Sequence, residues 1–154
     1  METAADYRRR LGLLIQQVKG MQPQPDPEIT AHLGQYLCVL TAGLIEVTIQ
    51  EALLTYVAAN ADGRVFDYMF QHLDRLLVNL RMSKILDIAD DFDRAWRDAV
   101  ALRTAGGLSD AVTSVVANRN RIAHGEPVSL SLSQVEDYYS RTCLALDAIA
   151  EICG

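Results

Sequence analysis

The stretch EITAHLGQYLCVLTAGLIEVTIQEALLTYVAAN, Glu28 to Asn60, decides the fold class. Leu33, Leu37, Leu40, Leu44, Val47 and Leu54 recur at helical spacing and form one stripe. Tyr36, Val39 and Ile45 widen that stripe until the helix is apolar nearly all round. A helix of this kind packs on several sides, which predicts a central position. Its most apolar segment, Tyr36 to Ile45, is too short by itself to cross a bilayer. Glu46 interrupts the apolar run, and two readings of it are open. It reaches a cleft beside Arg119, or it faces solvent or pairs with a structural arginine.

Helical patterns continue on both sides. Upstream, Leu11, Leu14, Ile15 and Val18 predict a first helix from Asp6 to Lys19. The segment GMQPQPDP, Gly20 to Pro27, breaks it with prolines at 23, 25 and 27. Downstream, Asp62 and Gly63 mark a turn, and apolar spacing predicts a helix from Val65 to about Arg81. Ser83 is the expected N-cap of a region reaching Leu102, as one helix or as two broken near the acidic run Asp87, Asp90, Asp91 and Asp93. Gly106 and Gly107 end it. Ser109 or its neighbour is expected to cap the next helix, which runs to about His124. Gly125 and Pro127 stop that helix. Ser133, with Glu136 as capping-box partner, is expected to open the last one. No strand pattern survives. The expectation is an all-α, single-domain helical bundle of five to six helices over residues 1–154. It divides into an N-terminal helix (1–20), a Pro-rich linker (21–27) and the bundle proper (28–154).

Composition narrows the function classes. Half of the 154 residues are hydrophobic, which excludes a disordered chain. A formal net charge of −6 argues against a broad basic surface for duplex DNA. It permits a small, locally basic cleft, and Arg97, Arg103, Arg119 and Arg121 are close in sequence. The cluster Arg8, Arg9 and Arg10 reads as a solvated helix face. Cys38, Cys143 and Cys153 are odd in number, fit no metal spacing and read as buried reduced thiols. The opening METAADYRRR lacks the apolar core of a signal peptide. A cytoplasmic location without a membrane partner is therefore expected. The acidic run lacks the glycine turn of a calcium loop, and no zinc spacing or glycine-rich phosphate loop is present. No metal and no cofactor are expected. His32 reads as a surface residue and His72, among apolar neighbours, as a structural one.

The chemistry concentrates in ANRNRIAHGEP, Ala117 to Pro127. Arg119 can hold a phosphate through two parallel hydrogen bonds. His124 can move a proton near neutral pH. The two lie five residues apart, roughly 140° around an ideal helix, so a long arginine and a loosened last turn are needed to join them. Asn120 and His124 are four apart and share a face. Ile122 and Ala123 are expected to face the core, and Gly125 lets the chain leave sharply. No second proton-transfer group stands next to His124 in the sequence. A two-fold dimer would bring one, because an isologous interface presents the same motif twice.

The run Arg119, Asn120, Arg121, Ile122, Ala123, His124, followed by Gly125 and Glu126, resembles the signature of the HEPN superfamily (higher eukaryotes and prokaryotes nucleotide-binding). LIEVTIQEAL, Leu44 to Leu53, is similar to that family's central helix with its embedded acidic residue. Among subgroups the chain is most similar to the RiboL-PSP-HEPN type and related bacterial defence proteins. The resemblance implies a helical bundle, homodimerisation through the motif region and metal-independent cleavage of RNA to a 2′,3′-cyclic phosphate. It implies a toxin–antitoxin or phage-defence setting, with an antitoxin or regulatory protein as a further partner. By position it makes Arg119 and His124 catalytic, with Asn120 orienting the histidine or binding phosphate. Arg121 has no assigned family role and Glu46 matches the embedded acid approximately; both are candidate contacts to the RNA substrate. The same superfamily also implies two rivals: a non-catalytic module that binds a nucleotide, RNA or protein, and the regulatory half of a two-gene system.

Overall fold

The computed structural model describes residues 2–154. Seven helices and no strand are found among them: α1 Ala4–Lys19, α2 Pro27–Asn60, α3 Gly63–Leu76, α4 Met82–Phe92, α5 Arg94–Thr104, α6 Gly107–Ala123 and α7 Leu132–Cys153. The chain is all-α, with one or two more helices than the five to six expected. The α2 helix is central and packs against α1, α3, α6 and α7. Leu37, Leu44, Ile45, Ile49 and Leu53 are buried on it, and Val112, Val115 and Val116 of α6 join the same core. Length and mean hydropathy alone would let α2 cross a membrane, whereas Tyr36 to Ile45 by itself is too short. In this fold its neighbours bury half of that apolar window.

The helix starts follow from local chemistry. Thr3 accepts the Asp6 amide at 3.1 Å to cap α1, and Asp26 accepts the Ile29 amide at 3.0 Å to cap α2, with Pro27 in the first turn. The first helix is tied down as well as packed. Tyr7 donates its hydroxyl to the Leu40 carbonyl at 2.7 Å, and Arg8 pairs with Asp147 of α7 at 2.6 Å.

Several boundaries differ from the sequence expectation. The helix expected to reach Arg81 stops at Leu76: the Leu77 backbone leaves the helical region at ψ 50°, and Asn79 then turns left-handed at φ 54°. Leu77 and Leu80 remain buried, so the apolar rhythm continues through a segment that is no longer helical. Ser83 does not cap α4, which begins one residue earlier after Arg81 with no side-chain cap. Lys84 to Leu102 is two helices, separated at Asp93, whose extended backbone lets its carboxylate accept the Ala95 amide at 2.8 Å. The α6 helix starts after Gly106, at φ 79°, rather than at a Ser109 cap. The capping box of α7 is Ser131 with Gln134, two residues before the expected Ser133 and Glu136. In the last turn of α6, Ala123 faces solvent instead of the core, while Ile122 packs inward.

Cys38, Cys143 and Cys153 are free and buried, and burial pushes the Cys38 and Cys153 thiols up to about 11. His32 is exposed. His72 is exposed too, contrary to expectation: its ring stacks on Tyr68, with Nδ1 2.7 Å from the Tyr68 carbonyl.

Candidate functional site

The end of α6 is built by its backbone. His124 is the C-cap and Gly125 takes the left-handed conformation at φ 73°. The Gly125 amide donates to the Ile122 carbonyl at 3.0 Å and the Glu126 amide to the Arg121 carbonyl at 3.0 Å. This pair of bonds is a Schellman stop, which satisfies carbonyls that a helix end otherwise leaves open. The chain then docks on α2. Val128 and Leu130 are buried, and Gln35 donates to the Val128 carbonyl at 3.0 Å. Gly34 permits the approach: a Cβ there would lie 2.7 Å from the Leu130 carbonyl oxygen. The motif is thus held between a defined helix stop and a loop bound to the central helix.

Arg119 and Asn120 line a narrow cleft with Ala42 and Glu46 of α2, Val116 of α6, and Asn79 and Leu80 of the α3–α4 connection. Arg119 donates to the Asn120 side-chain oxygen at 3.2 Å. Among the described residues it forms no ion pair. Arg8, Arg9, Arg10, Arg103, Arg121 and Arg141 all do. Glu46 is half-buried, and burial pushes its carboxyl up from the ordinary range while the Arg119 charge partly offsets this. Glu46 and Arg119 line the same cleft.

His124 is exposed. Its amide donates to the Asn120 carbonyl at 3.1 Å, and its imidazole bonds to no other described residue. Within the chain the fold therefore brings Arg119, Asn120 and Glu46 to one cleft, while the imidazole makes no hydrogen bond to them. Arg121 points elsewhere, pairing with Glu126 at 3.1 Å and donating to the Pro127 carbonyl at 3.3 Å. The four arginines close in sequence do not gather. Arg103 is held by Glu151 at 2.6 Å, and of the four only Arg119 lines the cleft.

Asn79 is the cleft residue that sequence reasoning missed. The apolar spacing of Leu73, Leu76, Leu77 and Leu80 ran through it as if the helix continued. The available signal was the asparagine itself, one of the few residue types that adopt a left-handed backbone at small cost. A larger groove, about 830 Å³ between α1, α2 and α7, lies away from this cleft. Of its charged groups, Arg8 and Asp147 satisfy one another, Arg9 pairs with Asp6 and Glu51 accepts the Ala4 amide. We place the site at the smaller cleft because the arginine of the motif lines it without an ion-pair partner; among the described residues Arg75, Arg81 and Arg97 also lack one but lie outside the motif.

Among the described residues no three His, Cys, Asp or Glu side chains cluster as metal ligands would. The acidic run is used locally instead: Asp90 pairs with Arg94 at 3.3 Å and Asp93 caps α5.

The sequence profile of the RiboL-PSP-HEPN family matches residues 5–154. No curated protein and no solved structure matches the chain. A match over almost the whole length joins the all-helical architecture and the Arg119–His124 helix end in one assignment: the chain belongs to the RiboL-PSP-HEPN family.

Proposed function

We propose that this protein is a metal-independent endoribonuclease that acts as a homodimer. The observation that carries the reading is the state of Arg119. Its guanidinium is half-buried, held by a neutral amide rather than a carboxylate, and sits beside a carboxyl whose burial favours the neutral form. A cation kept in this way remains available for an anion, and a scissile phosphate is the anion that RNA offers.

In the proposed reaction an imidazole removes the proton of the ribose 2′-OH. The 2′-oxygen attacks phosphorus, and the bond from phosphorus to the 5′-oxygen breaks. A second imidazole gives a proton to the leaving 5′-oxygen, and the product ends in a 2′,3′-cyclic phosphate. Arg119 stabilises the charge that builds on the phosphorane, and Asn120 holds the guanidinium in place. Each protomer supplies one His124, so the base and the acid come from two copies meeting across a two-fold axis. The imidazole's exposure fits that role, as does apolar surface close to the cleft. Val39 lies one turn before Ala42 on α2, Val78 precedes Asn79, and both are exposed. We assign the activity to a cytoplasmic toxin–antitoxin or phage-defence system, in which a partner protein masks the cleft.

A second reading has one observation in its favour: the imidazole neither lines the Arg119 cleft nor hydrogen-bonds to it within a protomer. A non-catalytic module that binds RNA, a nucleotide or a protein needs only the cleft. RNA-end analysis separates the two. The nuclease reading expects 2′,3′-cyclic phosphate ends formed in the presence of EDTA and abolished by His124→Ala, in a protein that sediments as a dimer. Cleavage that survives His124→Ala, or that requires magnesium, refutes it.

A further inference from the structure

The connection between α3 and α4, Leu77 to Arg81, carries a feature that the proposed reaction does not use. Asn79 lines the Arg119 cleft and has a left-handed backbone at φ 54°, the one non-glycine residue with positive φ among those described. Its backbone is pinned from both sides. The Asn79 carbonyl accepts the Arg81 amide at 2.8 Å, and the preceding Val78 carbonyl accepts the Lys84 ammonium. Buried Leu77 and Leu80 anchor the ends. The Asn79 side-chain amide, by contrast, bonds to no described residue. Beside it Val78 is 48% exposed, an apolar surface with nothing packed on it.

The backbone of this loop is fixed, while the Asn79 amide stays exposed and free at the edge of the cleft. Asparagine takes the left-handed conformation at small cost. A primary amide carries donors and an acceptor side by side, which matches the alternating donors and acceptors along the edge of a nucleobase. It has no charge and competes poorly with Arg119 for phosphate. An apolar neighbour supplies what the face of an unstacked base prefers.

We infer that Asn79 determines sequence preference, by hydrogen-bonding the edge of a nucleobase next to the phosphate held at Arg119 while Val78 packs on that base. This rests on the RNA-cleavage reading for its substrate class, but its test does not depend on catalysis. The probes are single-stranded 2′-O-methyl 10-mers of A, C and U, which cannot form a cyclic phosphate. The variant is Asn79→Gly, because glycine accepts positive φ without strain and removes only the amide. The full-length wild-type protein is expected to prefer one homopolymer by about tenfold in Kd, the scale of one good base contact. Asn79→Gly is expected to bring the three within about twofold of each other, with an unchanged thermal transition. Asn79→Asp, which keeps acceptors and loses donors, is expected to weaken the preferred oligomer most. An Asn79→Gly protein that keeps the wild-type ratio overturns the inference, and so does a wild type that binds the three equally or not at all. Measuring His124→Ala cleavage of unmodified RNA alongside shows separately whether the nuclease reading fails, since that result leaves the binding ratios intact.

Discussion

Two arginine-rich regions of this molecule look alike on paper and differ in what surrounds them. On α1, Arg8, Arg9 and Arg10 form the densest positive cluster in the chain, yet each is matched by a carboxylate, from Asp147, Asp6 and Glu2 respectively. At the end of α6, Arg119 and Arg121 alternate with asparagine, and only Arg121 is matched, by Glu126. The difference teaches that charge density does not locate an anion site. What matters is whether the fold brings a counter-ion to each cation, and at Arg119 it brings an amide and a half-buried, protonation-prone carboxyl instead.

The sharpest way to break this contrast is to neutralise both regions. Arg119→Ala is expected to lower RNA cleavage by about 10²–10³-fold, the usual cost of removing one preorganised charge stabiliser. Replacing Arg8, Arg9 and Arg10 together by alanine is expected to leave the cleavage rate at about the wild-type level. Their pairs lie at the exposed surface, where solvent screens such pairs strongly. Initial rates on one RNA substrate test both, and equal losses would erase the distinction between the regions.

The next effect is on the support beneath the α6 motif. Gly34→Val would push a side chain into the Leu130 carbonyl and is expected to destabilise the protein by about 1–3 kcal/mol, read from urea unfolding. It is also expected to weaken cleavage, because the loop that fixes the end of α6 must move. Smaller again is Gly125→Ala. A β-carbon at φ 73° costs about 1 kcal/mol, and the substitution should lower the unfolding midpoint.

The last probe reads the carboxyl itself. The folded state raises the pKa of Glu46, so it holds that proton more tightly than the unfolded chain does. The stability contributed by this linkage is fully present below the unfolded carboxyl pKa and is lost as pH rises through the folded value. Glu46→Gln mimics the protonated form. Its stability relative to wild type is expected to increase as pH rises through and above the carboxyl range, and to level off at acidic pH, where Glu46 carries its proton in both states. Chemical denaturation across pH follows the difference. A constant offset at all pH values would mean that the carboxyl is not perturbed.

Much of this molecule could be read from the chain because it rests on periodicity. The central helix and the break at Gly20–Pro27 follow from apolar spacing and proline placement. The end of α6 at Gly125 follows from the left-handed stop that glycine permits. The places that could not be read are those where two local signals compete. SLSQVE offers Ser131 with Gln134 and Ser133 with Glu136 as equally good boxes, and burial of Val128 and Leu130 before the helix decides for the earlier. Around Leu76 to Arg81, leucine spacing argues for helix and one asparagine argues against it. The site was legible to a corresponding degree. The positions of Arg119 and His124 on one helix end were visible. The burial of Glu46 beside Arg119 and the arrival of Asn79 from a connection distant in sequence are tertiary facts that no local pattern encodes.

The close packing of Gly34 on Leu130 has a further consequence. Helix termini normally fray, and their amides exchange with solvent as though nearly unfolded. Here the segment that follows the histidine is moored to the longest helix, so opening the last turn of α6 would require lifting Val128 and Leu130 from the core as well. The Gly125 and Glu126 amides, though at the surface, should then exchange with the slowness of an interior element. The histidine end of the helix would be among the quietest parts of the surface, with its geometry set by the fold itself.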